Sequence, residues 1–393
     1  MRIVIAPDGF KGCLPSPEVC AALREGLERA DPSLEIVTAP IADGGDGTAA
    51  VLVEATGGRL VTERVSGPLG RPVMAHFGIL GDACTAVIET ASASGLALVE
   101  EKRRNPLLTS TYGTGQLVVA ALDRGCREFI IGVGGSATTD GGAGLAQALG
   151  VRFYDDEGRE ITRATGRTLE RIAHIDISNL DNRLADSRFR VACDVSNPLF
   201  GAQGAAPIYG PQKGATPEMV EKLDRGLRHL AEVVEHQLGK SVANLPGAGA
   251  AGGLAAGLVV FCDATLEPGA QLILETIGLR EKATGADLLV TGEGRLDAQT
   301  SFGKGPWAVA QLGREIGVPV LAIAGAVDGD PAEFATWGLS AAWSISPGPQ
   351  TLAKALEPEA ARDQLRQAGY NLGQTLKLGC PLVSGSAQPG SVS

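Results

Sequence analysis

Metal-binding and disulfide chemistry are thinly supplied in this chain. Its seven cysteines, at 13, 20, 84, 126, 193, 262 and 380, form no CxxC and no paired spacing. With only four histidines as well, the spacing argues against a zinc site and against a disulfide framework, and free thiols fit a reducing compartment. His76, His174, His229 and His236 lie in strand or helix patterns without a carboxylate or serine partner and read as ordinary residues. No run reaches the roughly 20 apolar residues of a membrane span. The opening Met-Arg-Ile-Val-Ile-Ala-Pro is too short for a signal peptide, which leads to an expectation of a cytoplasmic protein with no membrane partner. Basic runs are missing too: net charge is -11 and the densest cluster is Lys102-Arg103-Arg104, which argues against nucleic acid. Nothing matches GxxxxGK[ST], and Lys304 is followed by Gly305, so a P-loop kinase is excluded.

Glycine is what the chain has in excess: 54 of 393 residues, about twice the usual share. Much of the excess sits beside charge, at 6–12, 42–48, 134–144, 210–214 and 291–305. Glycine lets a backbone turn its amides onto a ligand, and neighbouring Lys, Arg and Asp add charge neutralisation and metal ligands. Lys11, Lys213 and Lys304 all abut glycine. The pattern points to an enzyme acting on a phosphorylated, anionic ligand.

Periodicity predicts an α/β protein. Ile3–Ala6 reads as a buried strand, followed by a helix opened by Ser16 as capping hydroxyl and Pro17, with Val19, Leu23, Leu27 and Ala30 facing inward. Glu35–Ala39 completes a β-α-β unit, with the charged loops at the carboxyl ends of its strands. Residues 60–90 alternate like an antiparallel meander. Helices are expected near 113–124, after Asp140, and at 217–238, 250–262 and 305–316, with strands at 129–134, 190–194, 288–290, 319–324 and 342–345. The simplest assembly has two domains, 1–60 with 268–380 sharing one parallel sheet and an inserted mixed α+β domain at 61–267, before a disordered tail at 381–393.

Each charged loop also has a plainer reading. Gly132–Ala137 satisfies GxGxx[G/A], with Asp155 and Asp156 downstream, and fits a nicotinamide-dependent dehydrogenase. The same segment fits a phosphate-cradling loop in which Gly134, Gly135, Ser136, Thr138, Asp140, Gly141 and Gly142 surround a nucleotide. Asp43 and Asp46 suit magnesium or a tight Asx turn, and Asp8 with Lys11 suits substrate binding or a salt-bridged loop. The 247–257 run fits a phosphate-binding helix start or close packing through small residues. Glu293, Arg295 and Asp297 place three charges within five residues after a strand, which favours function over packing. A non-catalytic ATP-sensing module is a third class of reading.

Taken together, Ile-Ala-Pro-Asp-Gly-Phe-Lys-Gly (5–12), Ala-Asp-Gly-Gly-Asp-Gly-Thr (42–48), Arg104–Leu107 with Thr111–Gln116, 131–144, 192–199, 209–215, 247–253 and 291–300 resemble the bacterial type-1 glycerate kinases, in order and over nearly the whole chain. Small departures are Gly9 for Ser, Asp46 for Glu, and Ser301-Phe302 for Leu-Gln. The resemblance implies a flavodoxin-like α/β domain built from both chain ends, an inserted α+β domain, and transfer of phosphate from Mg-ATP to D-glycerate, giving 2-phosphoglycerate. Oligomeric state stays open between monomer and homodimer. The chemistry then suggests roles: phosphates against Gly134–Gly142 with Lys213 as an added cation, and glycerate's carboxylate at Lys11 or Arg295, near Asp8 and Asp43. Asp297 would orient the attacking hydroxyl, with Lys304 on the developing charge beside Glu293. Asp43, Asp46 and Asp194 are the metal candidates.

Overall fold

A computed structural model describes residues 1–379 except Asp43, Asp46, Phe302 and Gly303; the expected tail at 381–393 and the roles given to Asp43 and Asp46 lie outside the described residues. By its internal contacts the chain divides into two compact units, Met1–Ala42 with the chain from Ile277 onward, and Asp43–Thr276.

The first unit is built on a five-stranded parallel sheet in the order Ala341–Ser344, Val320–Ala324, Leu288–Thr291, Arg2–Ile5, Glu35–Thr38. Counting its own strands along the chain, the order is 2-1-3-4-5, that of a doubly wound flavodoxin-type sheet. The apolar runs read as buried strands fill its centre, with Ile3, Ile5, Val290 and Ile323 packed together. Helix Ser16–Ala30 buries Val19, Leu23 and Leu27 against that sheet, and Ala30 is buried as well. Its cap differs from expectation. Pro15 occupies the N-cap position with no side-chain cap, and the Ser16 hydroxyl instead donates to the Pro7 carbonyl at 2.7 Å, tying the helix start to the loop after the first strand. A helix over Pro358–Gly379, unforeseen in the sequence, lies on Ser16–Ala30. The two approach so closely that a Cβ at Gly26 would sit 2.1 Å from the Arg366 carbonyl oxygen.

The second unit carries a six-stranded mixed sheet in the order Thr265–Glu267, Arg188–Ala192, Glu128–Gly132, Thr85–Glu89, Pro72–Ile79, Arg59–Ser66. The first four strands are parallel, and the last two continue antiparallel as the alternating 60–90 segment predicts. Helix Thr48–Thr56 packs on Pro72–Ile79 and Thr85–Glu89, so it belongs with this unit by contact. Helix Pro217–Leu238 starts where Thr216 accepts from Met219 N and ends at left-handed Gly239. One core lies on this sheet, centred on Phe77, Phe129 and Leu117; a second, centred on Phe153, Leu223 and Leu227, joins helix Pro217–Leu238 to the short strands Arg152–Tyr154 and His174–Asp176.

Candidate functional site

In the second unit, strand Glu128–Gly132 delivers the chain into the 133–142 loop. The loop does not run into a helix at once. Ser136 pairs with Gly95, Ala137 N donates to the Ser94 carbonyl, and the next helix begins only at Ala143. A dinucleotide fingerprint needs its glycine turn to open a helix, so the Gly132–Ala137 dehydrogenase reading fails on geometry. Asp155, its would-be ribose contact, is instead tied to Arg159 and Arg171 at 3.0 Å each.

The loop walls a cavity of about 390 Å³, with Gly134, Gly135 and Ser136 on one side and Leu96, Val195 and Tyr209 among its other lining residues. Lys213 lines it too and is only 3% exposed. Its ammonium donates to Ser136 Oγ at 2.9 Å and to the Thr138 carbonyl at 2.6 Å. Burial pulls the Lys213 pKa down to about 7, against the opposing charge of Asp140.

Asp140 sits beneath the loop, fully buried, and its carboxylate accepts from Thr111 N at 2.7 Å, Thr111 Oγ1 at 2.9 Å, and the amides of Gly142 and Gly144 at 3.3 Å. Burial raises its pKa while those donors hold it down. In this geometry Asp140 shapes the loop and the start of helix Tyr112–Asp123. Thr138 is fully buried as well. The 247–257 run supplies the loop's support rather than a smooth helix start. Ala251, Gly252 and Gly253 are left-handed within Ala250–Cys262, and a Cβ on Gly252 would lie 2.0 Å from the Thr138 carbonyl oxygen. Asp194 lines the same cavity, its carboxylate held by Gly269 N at 2.7 Å. Glu89, which the sequence reading passed over, is buried and accepts from Ala49 N in the first turn of helix Thr48–Thr56, next to the 42–48 motif.

The first unit gathers the other charges. Asp8 N donates to the Gly292 carbonyl, and the Gly294 position lies 3.5 Å from Lys11 N, so the 8–11 and 292–305 loops adjoin. Asp8 is buried and Lys11 exposed. Glu293 is buried, and its Oε1 accepts from Thr300 Oγ1 at 2.6 Å while its Oε2 lies 3.9 Å from the Lys304 ammonium. Burial raises the Glu293 pKa, opposed by Thr300, Lys304 and Lys11. Lys304 is the N-cap residue of helix Gly305–Ile316. Arg295 points elsewhere: it is exposed and pairs with Asp328 and, at 3.4 Å, with Asp297. Thr300, which bridges Glu293 and the Asp297 amide, was missed; a hydroxyl seven residues from its partner leaves no spacing signal.

The sequence profile of the Glycerate kinase family matches residues 3–377. The chain belongs to the glycerate kinase family. Similar family members include a glycerate kinase of Halalkalibacterium halodurans, 47% identical over 94% of this chain and 97% of its own, and the glycerate 2-kinase of Escherichia coli, 44% identical over 96% and 99%. A crystal structure assigned as glycerate kinase 2 from Salmonella typhimurium LT2 superposes with a TM-score of 0.89 at 45% identity, covering 97% of this chain and all of that one. These family relatives support neither the dehydrogenase nor the sensing-module reading. The parallel and mixed sheets are the α/β architecture the resemblance led us to expect. None of the described helices is long and apolar enough to cross a membrane.

Proposed function

We propose that this protein transfers the γ-phosphoryl group of ATP to a hydroxyl of D-glycerate, giving 2-phosphoglycerate. The observation that carries the reading, beside family membership, is a buried ammonium, Lys213, set in a cavity wall next to a glycine loop. Glycine amides and a lysine suit polyphosphate. The position of phosphorylation follows the Escherichia coli relative, a glycerate 2-kinase.

Phosphoryl transfer passes through a loose transition state, so the protein aligns the reactants and stabilises charge. In our reading Gly134–Ser136 and Lys213 hold the phosphates. Glu293 takes the proton of the acceptor hydroxyl, because a buried carboxylate with a raised pKa is the better base near neutrality. Thr300 fixes one of its oxygens, and Lys304 faces the other. Asp297, the sequence-based choice for orienting that hydroxyl, is paired with Arg295 and becomes a supporting charge. Lys11, exposed at the same loops, is the cation for glycerate's carboxylate.

Magnesium binds through one or two carboxylates and keeps waters and phosphate oxygens as its other ligands. Asp194 fits that donor set: an exposed carboxylate on the wall that carries Gly134. When bound, the ion neutralises phosphate charge. Among the described residues no group of three or more His, Cys, Asp or Glu side chains is placed to hold a metal by protein alone.

A coupled assay for ADP release, run with and without D-glycerate and with phosphorus NMR of the product, tests the proposal. Glycerate-dependent ADP and a 2-phosphoglycerate resonance are expected. Folded protein that releases no ADP with glycerate and magnesium overturns it.

A further inference from the structure

We propose that Ser136 and Lys213 form a built anion site, in which Lys213 commits the Ser136 hydroxyl to donate to a phosphate oxygen. Protonated, Lys213 has only donors, so at 2.9 Å from its Nζ the Ser136 oxygen is the acceptor. The hydroxyl's own proton must then point away from Lys213. Ser136 is 7% exposed, and what little surface it has lies on the cavity wall with Gly134 and Gly135.

The charge balance argues the same way. Among the described residues the buried ammonium has two hydrogen-bond partners, Ser136 Oγ and the Thr138 carbonyl, and both are neutral. Asp140, the carboxylate whose charge reaches it, is occupied by Thr111, Gly142 and Gly144. A buried cation held only by neutral groups is under-compensated. The Thr138 and Thr139 hydroxyls of the same loop are also buried, with no hydrogen-bond partner among the described residues. Burial depresses the Lys213 pKa, and the opposing charge of Asp140 does not offset it. A bound anion supplies that charge and accepts the Ser136 proton. The ligand class is a di- or triphosphate; only the choice of a nucleotide as its source rests on the kinase reading.

Equilibrium binding of ADP and of inorganic tripolyphosphate to the full chain, without glycerate, tests this. Wild type should bind both. Ser136→Ala should weaken both by about 10- to 100-fold, the usual worth of a hydrogen bond to a charged group. Lys213→Met should lose more, and Lys213→Arg should recover part. In turnover, Ser136→Ala should raise the KM for ATP more than it lowers kcat. Ser136→Ala removes a single oxygen, so it decides the matter even where Lys213→Met does not fold. Wild-type affinities in folded Ser136→Ala overturn the site, as does wild-type protein that binds ADP but not tripolyphosphate. Variant effects on binding without glycerate-dependent turnover would keep the site and remove the kinase reading.

Discussion

The two charged regions keep their charges in opposite ways. Around Lys213 the ammonium is 3% exposed and, among the described residues, bonds to two neutral oxygens, with the nearby carboxylate of Asp140 spent on backbone and hydroxyl donors. Around 293–304 opposite charges lie within reach of one another: Lys304 near Glu293, and Arg295 near Asp297 and Asp328. In the proposed anion site, the first arrangement lacks a charged partner until an anion arrives. The second is balanced without ligand, and within it only Glu293 is both buried and raised in pKa. The proposed anion site and the proposed general base call for different substitutions.

The largest expected effect breaks the second region. Glu293→Gln keeps the shape but removes the proton acceptor, so kcat should fall by about 10²–10⁴, the range for a general base. Asp297→Asn, in an ion pair with an exposed arginine, should cost less than about tenfold, since such pairs contribute little. Steady-state ADP release with both variants decides between them. If Asp297→Asn shows the larger loss, the roles are reversed. Lys304→Ala sharpens the same point through pH. The Lys304 charge lowers the Glu293 pKa, so its removal raises that pKa and moves the acidic limb of the kcat/KM profile to higher pH. An unmoved limb would separate Lys304 from Glu293.

A smaller effect, on stability, tests the first region. The Lys213 pKa falls from 10.5 to about 7 on folding. Below about 7 both states hold the proton and the buried charge weighs fully against the fold. Between about 7 and 10.5 the folded lysine has released its proton while the unfolded one still binds it, so stability rises with pH. Each unit across that window is worth at most about 1.4 kcal/mol. The charges around it are Asp140 beneath, Asp194 on the cavity wall and Arg104, whose backbone meets Gly214. Thermal melts of unliganded protein at pH 7 and 9 should show the rise, and Lys213→Met should flatten it. A wild-type midpoint that falls across this window would show that other groups dominate.

Much of this was readable because it is local. Helix Pro217–Leu238 falls where expected: Thr216 and Pro217 start it and Gly239 stops it, all within the chain segment itself. The buried strands announce themselves as short apolar runs, and the 60–90 hairpin by alternation. What escaped depends on distant partners. Ser16 looks like a cap, but Pro7 takes its hydroxyl. Glu89 reaches Ala49 across 40 residues. The amphipathic helix Pro358–Gly379 is bound by close approach at Gly26 and by Arg362 with Glu18, a contact 344 residues apart. Glycine and aspartate at 140–142 marked a loop correctly, yet spacing could not tell that Asp140 faces inward.

The smallest expected effect probes the backbone beneath the Lys213 loop. Ala251 holds φ at +52, where a side chain costs about 1–2 kcal/mol, and its neighbours Gly252 and Gly253 share that left-handed turn. Ala251→Gly removes the Cβ penalty but gives the unfolded chain more freedom, worth about 0.4–1 kcal/mol in the opposite direction. The net result should be a gain of about 0–1.6 kcal/mol, read as an unchanged or slightly higher melting temperature. Gly252→Ala is the contrasting change. Its φ is +69 and its Cβ would lie 2.0 Å from the Thr138 carbonyl oxygen, the same oxygen that accepts from Lys213. Loop and turn would have to part, at a cost of about 1–3 kcal/mol or more, and ADP affinity should fall with stability because the Lys213 anchor moves. Ala251→Gly should leave that affinity unchanged. If Gly252→Ala melts lower but binds ADP as wild type does, the turn supports the fold without setting the loop, and the Lys213 contact to Thr138 is no part of the anion site.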